Sequence, residues 1–130
     1  MGKKVLIVDD DTDIITFASS VIENSGYTPI SALNGEEAMN KIREEKPDAI
    51  ILDVLMPKES GIKMYRKVKT DPELSDIPVI ILSGIAQRTF TRSQKALTEF
   101  EGQDIPEPDA YLEKPVEPEE LEKTLKKFLS

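Results

Sequence analysis

Three runs of consecutive apolar residues punctuate the chain: Val5-Leu6-Ile7-Val8, Ala49-Ile50-Ile51-Leu52 and Val79-Ile80-Ile81-Leu82. None of them alternates with polar positions. Unbroken Val/Ile/Leu runs of this kind predict strands covered on both faces, and they are too short for buried helices. A shorter run, Ala110-Tyr111-Leu112, predicts a further strand. Between the runs the apolar period changes to that of a helix. Ile14, Phe17, Ala18, Val21 and Ile22 share one face of a helix predicted over 12–25, with Gly26 as its C′ residue. Ala38, Met39 and Ile42 do the same over 35–45, stopped by Pro47, and Ile62, Tyr65 and Val68 over 61–70. The last helix, over 118–129, carries Leu121, Leu125 and Phe128. Pro118 suits its first turn, with Glu119, Glu120 and Glu122 near the start and Lys123, Lys126 and Lys127 near the end.

The segment from Tyr27 to Ala32 alternates and contains Pro29, so it reads as an edge strand. Strands and helices therefore alternate along the whole chain. That predicts an α/β fold, a flavodoxin-like doubly wound sheet of five parallel strands with five helices. The strand order 2-1-3-4-5 places the second strand at an edge and the first and third side by side. Ligands in such sheets bind at the carboxyl ends of the strands, at this switch point. The expected organisation is a single domain over 1–130.

Composition narrows the chemistry. There is no cysteine and no histidine, so thiolate and imidazole metal sites are excluded, as is a histidine general base. A metal here would be held by oxygen, which favours Mg²⁺, Mn²⁺ or Ca²⁺. The formal net charge of −8 argues against direct binding to a nucleic-acid backbone. No apolar run is long enough for a signal peptide or membrane span, and Leu6 breaks a myristoylation pattern at the start. The expectation is a cytoplasmic protein without a membrane partner.

The polar residues just after the apolar runs carry the functional signal. Asp9 and Asp10 follow the first run, Asp53 the second, Ser83 the third and Lys114 the last. If the runs are neighbouring parallel strands, these side chains converge at one sheet edge. Clustered carboxylates repel one another, and a hard dication relieves that repulsion. A carboxylate can also act as a nucleophile toward phosphorus, with an ammonium and a hydroxyl to bind phosphoryl oxygens. Taken singly, a strand-end Asp is often a helix cap, and Asp11-Thr12 reads that way. The joint placement after four separate runs is what raises the functional reading. Asp9, Asp11 and Asp13 do not open a calcium loop, since Ile14 and Ser20 stand where Gly and Glu are required. A D-x-D-x-Thr/Val phosphatase pattern starting at Asp9 fails at Asp13.

With Asp9-Asp10, Asp53-Val54-Leu55-Met56-Pro57 followed by Gly61, Ser83-Gly84 and Lys114-Pro115, the chain resembles a response-regulator receiver domain of two-component signalling over essentially its full length. The resemblance implies that Asp53 is the phosphoacceptor. It implies Mg²⁺ (Mn²⁺ as an alternative) bound by Asp10, Asp53 and the Leu55 backbone carbonyl, with Asp9 acting through water and by orienting Lys114. Lys114, Ser83 and Asp9 would take the catalytic roles. Ser83 and Tyr111 would form the switch, Tyr111 moving inward as Ser83 turns toward the phosphoryl group. Pro115 corresponds to a position usually cis in the family. The implied partners are a histidine kinase or histidine phosphotransfer protein, and an output protein or a phosphorylation-dependent homodimer. On this reading the protein is not an enzyme on external substrates. A Mg²⁺-dependent phosphatase and a phosphorylation-independent interaction module are the rival classes.

Two features depart from the family's usual pattern. Leu55 and Ile85, each two residues after a key position, are apolar and cannot orient an attacking water by hydrogen bonding. That predicts a long-lived acyl phosphate. The stretch between Ser83 and Tyr111 is also longer than a helix of about 11–12 residues with two loops of about 2–6 residues requires. Arg88, Arg92 and Lys95 come first in it, then Glu99, Glu101, Asp104, Glu107 and Asp109. Phe90, Leu97 and Phe100 predict a fourth helix of roughly ordinary apolar spacing, followed by an extended loop from Gly102 to Pro108. Either this region, about 85–108, alters the partner surface, or it is a surface insertion of the kind loops tolerate. The sequence ends at Ser130 without an output domain, which leaves a stand-alone regulator and an excised receiver equally open.

Overall fold

The unbroken apolar runs become the central strands of a parallel sheet because each must be covered twice. A computed structural model describes residues 2–55, 61–102 and 105–129. Strands β1 (Lys4–Val8), β2 (Thr28–Ala32), β3 (Ala49–Leu52), β4 (Val79–Ser83) and β5 (Ala110–Glu113) alternate with helices α1 (Thr12–Asn24), α2 (Gly35–Glu45), α3 (Gly61–Thr70), α4 (Gln87–Glu101) and α5 (Pro118–Leu129). The sheet order is β2-β1-β3-β4-β5, with every pairing parallel. β3 and β4 are buried along their whole length, whereas β2 and β5 lie at the edges and are only partly covered. Pro29 sits in β2, where an edge strand needs no second hydrogen-bonded neighbour.

Alternation within each strand splits the core into two layers. Leu6 and Val8 of β1, Ile50 and Leu52 of β3 and Ile81 of β4 pack with Ala38, Ile42, Met64, Tyr65, Val68 and Phe90 from α2, α3 and α4. Val5, Ile7, Ile51, Ile80 and Leu82 pack on the opposite face with Ala18, Val21, Ile22, Leu121, Leu125 and Leu129 from α1 and α5. Full burial of one such side chain contributes about 1.5–3 kcal/mol, so the three central strands are anchored from both sides.

The helix ends follow the expected chemistry. The Asp11 side chain caps α1 by accepting from the Asp13 N–H, and Asn34 caps α2 by accepting from the Glu37 N–H. Gly26, beyond α1, has φ +91°. The fourth helix spans the three landmarks Phe90, Leu97 and Phe100 and gives way at Gly102, where the extended loop is expected to begin. It runs for 15 residues and ends at Gly102, whose φ of +73° lets its N–H bond the Thr98 carbonyl. Much of the surplus length between Ser83 and Tyr111 is therefore helix. The side chains of Leu97, Phe100 and Glu101, and the residues Gln103 and Asp104, lie outside the described set, as do Met56 to Ser60.

Lys46 ends α2 in the left-handed region with φ +50°, a conformation that costs a β-carbon-bearing residue about 1 kcal/mol or more. Lys46→Gly is expected to raise stability by about 0.5–1 kcal/mol. Urea denaturation should show a higher midpoint at unchanged slope.

Candidate functional site

The sheet ladder itself carries the candidate residues together. Val8 pairs with Leu52, so Asp9 and Asp53 leave adjacent strands at the same level. The ladder continues beyond the strands. The Asp53 N–H donates to the Val8 carbonyl at 2.9 Å, and the Asp9 N–H to the Ala32 carbonyl at 3.1 Å. On the far side, the Lys114 N–H donates to the Ser83 carbonyl at 2.8 Å. Backbone hydrogen bonds thus fix the main chain at four of the five positions before any side chain acts.

Oxygens of Asp9, Asp10 and Asp53 lie within 4.8 Å of one another. Asp9 and Asp53 are 1% and 5% exposed, while Asp10 is exposed. Lys114 reaches between the two buried acids, with its Nζ 3.0 Å from Asp9 Oδ2 and 3.6 Å from Asp53 Oδ2. The second oxygen of Asp9 accepts the Asp11 N–H at 2.9 Å, so both Asp9 oxygens are engaged by the protein. Asp53 Oδ1 accepts the Leu55 N–H at 3.0 Å.

Burial raises the Asp9 pKa above its usual value, the charge of Asp53 adding to it, even though the Asp11 N–H and Lys114 pull the other way. Burial alone would lower Lys114. The hydrogen bond that Lys114 donates to Asp9 and the charges of Asp53, Asp9 and Asp11 outweigh it and hold the ammonium protonated above the usual lysine range. The two shifts share one origin, an excess of negative charge in a dry place. An all-oxygen donor set that its own lysine does not fully compensate fits a hard divalent cation.

Ser83 is buried at the end of β4, where its Oγ accepts the Ile85 N–H at 3.4 Å. Tyr111 of β5 is half-buried, and its hydroxyl donates to the Ile85 carbonyl at 2.7 Å. Burial, Glu113 and Asp53 push its pKa up to about 12, against a smaller opposing effect of the Ser83 hydroxyl. The Lys114–Pro115 peptide is cis.

The sequence profile of the response regulator receiver domain matches residues 5–126. The chain belongs to this family. It is 34% identical over 129 residues to the alkaline phosphatase synthesis transcriptional regulatory protein PhoP of Bacillus subtilis, covering 99% of this chain and 49% of that protein. The chain spans about half the length of the transcriptional regulators it matches first. It is 33% identical over 130 residues to the polar-differentiation response regulator DivK of Brucella anthropi, covering 99% of this chain and 98% of that one. Among solved structures, the Vibrio cholerae chemotaxis protein CheY4 superposes with a TM-score of 0.81 at 30% identity, over 99% of this chain and 100% of that one. The BeF3-activated DrrB receiver domain gives 0.76 at 29% identity, over 99% and 98%.

Some contributors were not legible as site residues. The Asp11 N–H and the Ile85 carbonyl are backbone groups with no sequence signature. Tyr65 and Phe90 read as ordinary core aromatics, and only the structure places Phe90 against Tyr111, with ring centroids 5.5 Å apart. No helix among the described residues is long and apolar enough to cross a membrane.

Gly61 opens α3 directly against the main chain that follows β3. A β-carbon there would fall on the Asp53 carbonyl oxygen and the Val54 Cα, both backbone atoms that cannot swing aside. Gly61→Ala is expected to cost about 1–3 kcal/mol and to shift the Asp53 backbone. Amide NMR should show perturbations centred on Asp53 and Val54; changes confined to α3 would contradict this packing.

Proposed function

We propose that this receiver domain is a phosphoryl-accepting switch, in which Asp53 takes a phosphoryl group from the phosphohistidine of a histidine kinase or histidine phosphotransfer protein. The observation that carries the reading is the placement of a buried Asp53 carboxylate between an acidic pair and an ammonium 3.6 Å away. In the transfer, a bond forms between an Asp53 carboxylate oxygen and phosphorus as the donor's P–N bond breaks and the imidazole leaves. The protein needs no general base for this step, because the attacking lone pair belongs to a carboxylate oxygen.

Each neighbour then has a task. Lys114, held by Asp9, supplies a fixed positive charge to one phosphoryl oxygen. Ser83 supplies a hydroxyl donor to another. Asp10, Asp53 and the Leu55 carbonyl are the groups to hold Mg²⁺ (or Mn²⁺), with Asp9 acting through water. The bound ion would supply electrostatic stabilisation of the phosphoryl oxygens. Tyr111 follows Ser83, changing the face formed by α4, β5 and α5. A groove of about 480 Å³, lined by Ile14, Phe17, Leu82, Pro115 and Val116, opens beside Lys114 and suits an apolar helix of the donor. The domain catalyses its own phosphorylation and dephosphorylation and turns over no external substrate. An output protein, or a second copy of the chain, would read the changed face.

Intact-mass analysis after incubation with acetyl phosphate tests the core of this. Gain of one phosphoryl group is expected with Mg²⁺, and none without Mg²⁺ or in Asp53→Ala. Absence of any gain in wild-type protein shown to bind Mg²⁺ would shift weight to a phosphorylation-independent interaction module. Release of phosphate over many turnovers would instead favour a phosphatase. Followed over time, the phosphorylated species should outlast minutes, since Leu55 and Ile85 offer no side-chain hydrogen bond to an attacking water. Decay within seconds contradicts that part.

Because burial raises the Asp9 pKa, this carboxylate takes up a proton at a higher pH than an ordinary aspartate. A proton there opposes the cation. Mg²⁺ affinity should therefore fall on acidification, starting above the range in which an ordinary aspartate titrates, by up to about tenfold per pH unit once Asp9 takes up its proton. Calorimetric titration at successively lower pH would show it, and a flat profile would count against Asp9 belonging to the cation's field.

A further inference from the structure

We infer that Tyr65 is a positioning residue for the switch: through Phe90 it ties the inward state of Tyr111 to the segment between α4 and β5. The inference rests on the reading of Tyr111 as the switch aromatic.

Tyr65 of α3 is fully buried, and its ring meets Phe90 edge-on, with centroids 5.6 Å apart and planes at 76°. Phe90, itself 2% exposed, meets Tyr111 at 5.5 Å and 53°. Tyr111 in turn is held by its hydroxyl to the Ile85 carbonyl. The three rings thus form a continuous packed line from the β4–α4 turn to α3. Three packed aromatics are unremarkable in a core, and taken alone they would carry nothing.

The hydroxyl of Tyr65 changes that. It donates to the Pro106 carbonyl, on the long stretch between α4 and β5. One helical turn further along α3, the buried ammonium of Lys69 pairs with Asp109 at 3.0 Å. Asp109 Oδ2 also accepts the Val79 N–H at 2.8 Å. Two α3 side chains therefore fasten two points on one segment, Pro106 and Asp109. The Asp109 attachment is also bonded to β4. The Pro106 attachment ends on the same side chain that packs Phe90. Ile105 and Pro106 to Pro108 face α4 across a cavity of about 340 Å³, so this segment has room to respond on that side.

Interiors are close-packed, so Phe90 cannot keep both ring contacts if Tyr111 swings out. Its displacement would relax the Tyr65 ring and weaken the bond to Pro106. Coupling of this kind is reciprocal. Loosening Pro106 must disfavour the inward Tyr111 by the same factor.

The test uses the full chain, which contains no cysteine, so Glu107→Cys provides a single site for a nitroxide label on an exposed residue. Tyr65→Phe and Tyr111→Phe, which keep their rings and volumes, are compared alone and together by electron paramagnetic resonance. Each single change is expected to raise label mobility, with the pair showing less than the sum of the two. In 3-fluorotyrosine-labelled protein, Tyr65→Phe should also move the fluorine resonance of Tyr111 while that of Tyr27 stays in place. A label indifferent to Tyr111→Phe, additive effects, or an unmoved Tyr111 resonance would overturn the inference. Neither readout depends on phosphoryl transfer, so failure of Asp53 to accept phosphate would leave these outcomes separately readable.

Discussion

Crowding of negative charge at one sheet edge is the constraint around which the rest of this domain is arranged. Asp9 and Asp53 are nearly inaccessible to water, yet each stands within 4.8 Å of further carboxylate oxygen. Burial without compensation is expensive for an ionised group. Lys114 relieves part of it by reaching both acids, and main-chain N–H groups of Asp11 and Leu55 relieve more. The balance is left negative. That residue of unfavourable charge is a driving force that would favour a hard dication. A fully neutralised pocket would be more stable and would bind such an ion less well.

Such a pocket needs a rigid frame, since repulsion would otherwise be relieved by movement. The frame is the parallel sheet. Strands β1, β3 and β4 are clamped by apolar layers on both faces, and their ladder continues through the backbone of Asp9, Asp53 and Lys114. Gly61 adds a further restraint by bringing the start of α3 onto the Asp53 main chain. The less firmly covered parts lie outward, toward the loops and β5.

That outward direction is where the structure carries its adaptable parts. β5 is an edge strand, Tyr111 is half-buried on it, and α4 starts with an Ala86 cap that makes no side-chain hydrogen bond. Elements with fewer buried contacts open at lower free energy than the central strands. A charge change at Asp53 would meet resistance in β1 and β3 and less of it along Ser83, Ile85 and Tyr111. The aromatic line through Phe90 then extends the affected region to α3 and to the approach of β5.

Much of this was legible in the chain because it depends on local pattern. Unbroken apolar runs require two-sided cover, so they fix central parallel strands. Pro29 demotes its strand to an edge, and polar residues following each run fall at the carboxyl ends. That Asp9, Asp10, Asp53 and Lys114 lie together was therefore legible from position alone. Tertiary structure decided what depends on distance between remote segments and on backbone atoms. It set which Asp9 oxygen faces Lys114 and which faces the Asp11 N–H. It set the bounds of α4, Gln87–Glu101, around the three apolar landmarks. It also turned Tyr65 and Phe90, whose spacing says only that they are buried, into a line of rings ending at Tyr111. Periodicity records which face of an element is covered. It contains no term for the partner that covers it, and that choice is made by packing.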